Sequence, residues 1–217
     1  VQQRVDGMPM AYITGSREFW SLPLIVSPAT LVPRPDTETL VEQALVRIPR
    51  KAEWHIADLG TGSGAIALAL ARERPLCHLT ATDQAEDALA VAAQNAQQLN
   101  IPNIEFATGN WTEPLRGRQF DLVVSNPPYV ASDDPHLAAL RFEPLAALDA
   151  GEDGLDAIRI LAATVAGLLK PGGHLLLEHG DQQAEAVASL LEQNGWQDIS
   201  LHKDMAGRPR VTAATWP

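Results

Sequence analysis

Phe120-Asp121-Leu122-Val123-Val124-Ser125 runs straight into Asn126-Pro127-Pro128-Tyr129. The first six residues form a short apolar run with β-branched members, which predicts a buried strand. Proline has no N–H for a strand ladder, so the chain must leave the sheet at Asn126. Each proline also fixes its own φ and pushes the residue before it toward an extended conformation. A buried strand that ends in a stiff turn points to an open α/β sheet, whose ligands sit at the carboxyl ends of its strands.

The rest of the chain agrees with that reading. Strands are expected at 54–59, 78–82, 104–107, 120–125 and 174–178, with helices at 65–72, 85–99, 156–169 and 182–193 between and after them. Asn194-Gly195 supplies a stop for the last helix, and Lys170-Pro171-Gly172-Gly173 reads as a tight turn into the fifth strand. Stretches 199–202 and 211–215 complete a set of seven, as an antiparallel pair at one edge. The expected fold class is α/β, with a mostly parallel seven-stranded sheet covered by helices on both faces.

Residues 1–50 read as a lead-in to a domain at 51–217. Stretch 1–16 is polar and broken by Gly7, Pro9 and Gly15, so a helix tail and a loop are expected. Glu18-Phe19-Trp20 and Leu24-Ile25-Val26, parted by Ser21-Leu22-Pro23, predict a small β-hairpin. Pro33-Arg34-Pro35-Asp36-Thr37-Glu38 is a stiff loop. Asp36 or Thr37 is expected to cap a helix that runs to about Val46, and 49–53 is a polar linker.

A chain of 217 residues can bury the core of one large α/β domain. Its net charge of −11 argues against holding nucleic acid through phosphates and suits a basic protein partner. Cys77 is the single cysteine, which excludes a disulfide framework and a cysteine-based zinc site. The six histidines lack metal-ligand spacing, so no metal is expected. No stretch reads as a signal peptide or a membrane span, so the expectation is a reducing cytoplasm and no membrane contact. The chain opens at Val1 in mid-pattern, as a fragment of something longer would.

Two stretches carry chemistry. Asp58-Leu59-Gly60-Thr61-Gly62-Ser63-Gly64 joins the first strand of the sheet to its helix, where glycines let backbone N–H groups approach a ligand in front of a helix N-terminus. Gly60, Gly62 and Ala65 also fit the dinucleotide pattern G-x-G-x-x-G/A. Asp83, at the end of the second strand, can take the two hydroxyls of a ribose in either case. Asp58 could satisfy loop amides or orient a bound ammonium. The second stretch is the turn: the Asn126 side-chain carbonyl and the proline carbonyls are acceptors on a rigid frame. Two such acceptors can receive both hydrogens of one planar –NH2 group, with Tyr129 covering its flat face. A cofactor over the glycine loop would point its reactive group at Asn126. An ordinary proline-terminated strand is the plainer alternative.

The glycine loop together with Asn126-Pro127-Pro128-Tyr129 resembles the class I (Rossmann-like) methyltransferases that use S-adenosylmethionine on planar amino nitrogens. More narrowly, the chain resembles the bacterial protein-(glutamine-N5) methyltransferases of peptide chain release factors. That likeness rests on Tyr12 to Phe19 (YITGSREF), Val32 to Glu38 (VPRPDTE), Arg141-Phe142-Glu143-Pro144 and Leu176-Leu177-Glu178-His179-Gly180. It implies methylation of the glutamine in a Gly-Gly-Gln loop, with S-adenosyl-L-homocysteine as product and a release factor as partner of a monomeric enzyme. It implies that Gly60, Thr61, Gly62, Ser63 and Gly64 hold the methionine part of the cofactor, Asp83 the ribose, and Trp111 the adenine. Asn126, Pro127, Pro128 and Tyr129 would bind the target glutamine, with Asn126, Pro127 and Tyr129 taking part in catalysis and Asn126 also next to the cofactor. Arg34 and Glu38 would either touch substrate or close their loop, and His179 would be structural. Members of the family normally begin with a small helical domain, after which this chain starts. Between His136 and Arg141 the resemblance implies a longer, more polar segment than the Leu137-Ala138-Ala139-Leu140 that stands here. The rival readings are a glutamine methyltransferase of a ribosomal protein, a nucleic-acid amino-group methyltransferase, which would need base flipping and a basic surface, and a non-catalytic cofactor-binding scaffold.

Overall fold

A computed structural model describes residues 2–217. Val1, the first residue of the expected helix tail, lies outside the described residues. The chain opens with two short helices, α1 (Gln2–Val5) and α2 (Met10–Thr14), the second in place of the expected loop. A two-stranded hairpin follows, β1 (Ser16–Phe19) against β2 (Leu22–Ile25). Its turn falls at Trp20-Ser21, not at 21–23, and both turn residues have positive φ, 50° and 55°. Turns of that shape usually need glycine or asparagine. Here the Trp20 amide donates to Glu38 at 3.0 Å and its indole to Glu73 at 3.1 Å, so tertiary contacts set the turn. Phe19, Leu22 and Leu24 are thereby buried.

A 3-10 turn at Pro35–Thr37 leads into α3 (Glu38–Arg47). No side chain caps this helix: Thr37 is already helical in its backbone and buried, and Asp36 pairs with Arg210 at 3.4 Å. From there strand and helix alternate: β3 (His55–Leu59), α4 (Ala65–Glu73), β4 (His78–Asp83), α5 (Glu86–Gln98), β5 (Ile104–Thr108), β6 (Phe120–Ser125), α6 (Asp156–Thr164), β7 (Leu169–Glu178), α7 (Ala184–Gln193), β8 (Gln197–Lys203) and β9 (Pro209–Thr215). Two expectations shift. Helix α6 gives way to a 3-10 turn at Val165–Leu168. The 170–173 turn is taken up in β7 as an irregularity: Leu169 pairs with Phe120, and pairing resumes with His174 opposite Leu122.

The seven strands lie in the order β5-β4-β3-β6-β7-β9-β8. All pairs are parallel except β7 with β9 and β9 with β8. The strand period of two sends neighbours to opposite faces. Ile56, Leu122, Val124 and Leu176 pack under α4 and the hairpin, and Ala57, Leu59, Val123, Leu175 and Leu177 pack under α6 and α7. Because β4 and β6 flank β3 on opposite sides, the strand order reverses there. The crevice at such a reversal is where doubly wound sheets bind ligands.

Candidate active site

At the carboxyl end of β3 the glycine loop is tied down by its neighbour strand. Gly60 and Thr61 both donate their amides to the Thr82 carbonyl at 2.9 Å. Asp83 accepts the Gly62 amide at 2.9 Å and the Ala85 amide at 3.0 Å, which joins the loop to the start of α5. Gly60 has φ +75° and a methyl group there would lie 3.3 Å from the Trp111 ring, so this position needs glycine on both counts. Asp58 is buried beneath the loop. Its Oδ2 accepts from the Thr61 hydroxyl at 2.6 Å and the Ala67 amide at 3.2 Å, while Oδ1 has no hydrogen-bond partner among the described residues. Burial pushes its pKa up to about 7, against the opposing pull of those two donors.

At the carboxyl end of β6, Ser125 donates its hydroxyl to the Leu59 carbonyl at 2.6 Å and so fixes the distance between the two strand ends. Asn126 follows, half-buried, with its Nδ2 donating to the Thr37 hydroxyl oxygen at 3.3 Å. Tyr129 reaches Glu178, at the end of β7, with its hydroxyl 3.4 Å from Oε1. Glu178 is 1% exposed, and its Oε2 has no hydrogen-bond partner among the described residues. Burial is the main cause that lifts its pKa to about 7, against the Thr37 hydroxyl and the Arg210 guanidinium. Desolvation and the Glu178 charge push the Tyr129 phenol well above its ordinary value.

One cleft joins these strand ends. The lead-in supplies a wall through Thr30, Leu31, Pro33, Arg34 and Thr37, and Pro144, Ala146 and Ala147 face it. The two sides are clasped by Glu143, whose Oε2 accepts the Val32 amide at 3.0 Å and whose Oε1 pairs with Arg34. Tyr12 adds a hydrogen bond from its hydroxyl to the Thr30 carbonyl at 2.6 Å.

Of the residues expected from the sequence, Gly60, Thr61, Gly62, Ser63, Asp83, Trp111, Asn126 and Pro128 line this cleft. Three do not. Gly64 opens α4 with its α-carbon packed toward Leu68 and Ala92. Pro127 is buried behind the turn, and Tyr129 is turned to Glu178. Arg34 and Glu38 both close loops, the latter through Trp20. His179 is buried between the Gly180 carbonyl at 2.8 Å and the Thr212 hydroxyl at 2.9 Å. Thr37, Glu143 and Glu178 went unassigned in the sequence. All three lie inside the stretches that carry the family likeness, and that was their only signal.

Comparison with known proteins fits this geometry. A family profile described as "Methyltransferase small domain" matches residues 36–142. The release factor glutamine methyltransferase of Salmonella typhimurium is 53% identical over 214 residues, 98% of this chain and 77% of the relative. That of Escherichia coli K12 is 52% identical over 212 residues, 97% of this chain and 76% of the relative. Among solved structures, the release-factor-specific protein-(glutamine-N5) methyltransferase of Alicyclobacillus acidocaldarius is 33% identical with a TM-score of 0.55, and the match covers 88% of this chain and 97% of that one. The Thermus thermophilus 16S rRNA N2 G1207 methyltransferase shares the fold at 18% identity, with a TM-score of 0.71 over 93% of this chain and 50% of that one.

Proposed function

The chain belongs to the release factor glutamine methyltransferases, and from that membership we propose that its cleft is where a release factor's glutamine amide meets S-adenosylmethionine. The protein is an S-adenosylmethionine-dependent protein-(glutamine-N5) methyltransferase. What carries the assignment of roles is one juxtaposition: Asn126 and the glycine loop line the same cleft.

The residues fit the cofactor. A methyl group added at Gly62 would meet nothing within 4 Å, so the backbone there faces open space. Asp83 stands on the cleft wall at the end of β4, where its carboxylate can take the hydroxyls of a ribose. Gly60, Thr61, Gly62 and Ser63 would cradle the methionine part, with Gly64 packed behind them, and Trp111 would be the wall for the adenine. When bound, S-adenosylmethionine supplies an electrophilic methyl group on a sulfonium.

An amide nitrogen is a poor nucleophile because its lone pair is delocalised into the carbonyl. The Asn126 carbonyl takes one N–H group of the glutamine and the backbone carbonyl of Pro127, a residue otherwise buried behind the turn, takes the other, which holds the amide so that its lone pair turns toward the methyl. Pro128 and Tyr129 keep that frame stiff. The work is positioning and preorganised polarity, with no covalent enzyme intermediate. The methylated nitrogen is acidic and loses its proton to water. Residues 51–217 form the methyltransferase unit, and 1–50 close one wall of its cleft.

The substrate is the glutamine of an exposed Gly-Gly-Gln loop, whose slim neighbours let the side chain reach a recessed turn. The acidic chain suits a basic protein partner, met by a monomer in the cytoplasm. Incubation with methyl-labelled cofactor and a purified release factor, then mass spectrometry, should find the label on that glutamine. Label on another residue type or on nucleic acid, or no label at all, overturns the reading.

A further inference from the structure

We propose that Thr37 and Glu178 are positioning residues that fix which way the Asn126 amide faces. The inference rests on the reading of Asn126 as the acceptor for the substrate amide. An asparagine side chain is nearly the same shape when rotated by half a turn, so its neighbours decide where its oxygen points. Rotated wrongly, Asn126 would present N–H donors to a glutamine –NH2 that itself has only donors to offer there.

The structure holds the means to prevent this. Asn126 Nδ2 lies 3.3 Å from the Thr37 hydroxyl oxygen. Thr37 is 3% exposed, on the 3-10 turn that lies across the strand ends. The Thr37 hydroxyl also acts on Glu178, where it favours the charged form, and Glu178 Oε2 has no hydrogen-bond partner among the described residues. An ionised Glu178 can only accept, which turns the Thr37 proton toward it and leaves the Thr37 oxygen to accept from Asn126. The –NH2 side of Asn126 is thereby committed to Thr37, and Oδ1 is left for the cleft. Tyr129 and Arg210 hold Glu178 from its other sides, the first at 3.4 Å and the second by its charge. Arg210 is itself anchored by Asp204 at 3.3 Å and Asp36 at 3.4 Å, and Asp36 precedes Thr37 in the chain.

Thr37→Val keeps the shape and removes the hydroxyl, and Thr37→Ser keeps the hydroxyl. Single-turnover methylation of a release factor by Thr37→Val should fall about 10–100-fold, by analogy with other preorganised polar groups. Cofactor affinity and the KM for the release factor should each stay within about threefold of wild type. Thr37→Ser should return to within about threefold of the wild-type rate. In an Asn126→Ala background, Thr37→Val should cost less than about twofold more, because the group it orients is already gone. If Thr37→Val does not fold, Thr37→Ala serves for the same comparisons. An active wild type with an unimpaired Thr37→Val, a Thr37→Ser as poor as Thr37→Val, or a full Thr37→Val loss in the Asn126→Ala background overturns the relay alone. An inactive wild type overturns the assigned function, and the relay with it.

Discussion

Arg34 and Glu143, 109 residues apart in the chain, form an ion pair that clasps the two walls of the cleft. The carboxylate side chain is 2% exposed and the guanidinium 37%. Removing the cation leaves a buried carboxylate with, among the described residues, only the Val32 amide to satisfy it. Such an orphaned charge is costly, though water can reach the vacated Arg34 position and offset part of the loss. Arg34→Ala should therefore destabilise the fold by about 2 kcal/mol. Glu143→Gln, which still accepts from Val32, should cost less. Urea unfolding measures both, and a change below about 0.5 kcal/mol for Arg34→Ala would show that the clasp contributes no more than an ordinary surface pair.

Asp83 links the glycine loop to α5 and lines the cleft as the proposed ribose ligand. Asp83→Ala should weaken S-adenosylmethionine by about 1–3 kcal/mol, the usual cost of losing a hydrogen bond to a charged group. Asp83→Asn, which keeps an acceptor, should lose less. Titration calorimetry with the cofactor, its demethylated product and NAD separates the cases. Heat from NAD, or an unchanged Kd for Asp83→Ala, contradicts the site assignment.

Asn126 is a surface-facing member of the cleft, not a core residue, so Asn126→Ala should leave folding and cofactor affinity nearly intact. Its kcat should drop about 10²–10³-fold, as when one preorganised polar group is lost from other active sites. Tyr129→Phe should cost less than about tenfold, because the hydroxyl contact with Glu178 is long at 3.4 Å. Wild-type single-turnover rates for a folded Asn126→Ala protein would mean that the turn is structural.

Asp58 and Glu178 make stability depend on pH in an unusual direction. Their ordinary values are 3.8 and 4.5, and burial lifts both to about 7. Between those limits the folded state binds more protons than the unfolded chain, so their stabilising contribution is complete below about pH 4 and is lost as pH rises through about 7. The ligand-free protein should therefore have a lower Tm at pH 8 than at pH 5.5. Carboxylates with lowered pKa values, such as Asp149 and Asp204, act the opposite way at lower pH, and His174, His179 and His202, whose pKa values burial lowers, oppose the effect within the interval by smaller shifts. Glu178→Gln and Asp58→Asn should each flatten the slope. A Tm that rises across that interval in the wild type would refute this assignment.

Much of the fold was legible because it is written over short distances. A run of β-branched residues makes a strand, two prolines end it at Asn126, and glycines tighten the turn after Leu59, all through dihedral limits and periodicity within a few residues. Those limits placed all seven strands of the sheet and the turns after Leu59 and Ser125. The hairpin was misplaced by two residues, because its turn is held by Glu38 and Glu73 and not by turn-forming residues.

Local pattern was enough for the order of the elements and for the two strand ends, at Leu59 and Ser125, that open onto the cleft. Only the tertiary structure decided what those ends meet. Thr37 reaches Asn126 across 89 residues, Glu143 reaches Arg34 across 109, and Tyr129 turns away from the cleft to Glu178. Backbone conformation answers to neighbours in the chain. A polar side chain that loses its water answers to whichever donor or acceptor the fold brings within about 3 Å, and no local pattern records which one that will be.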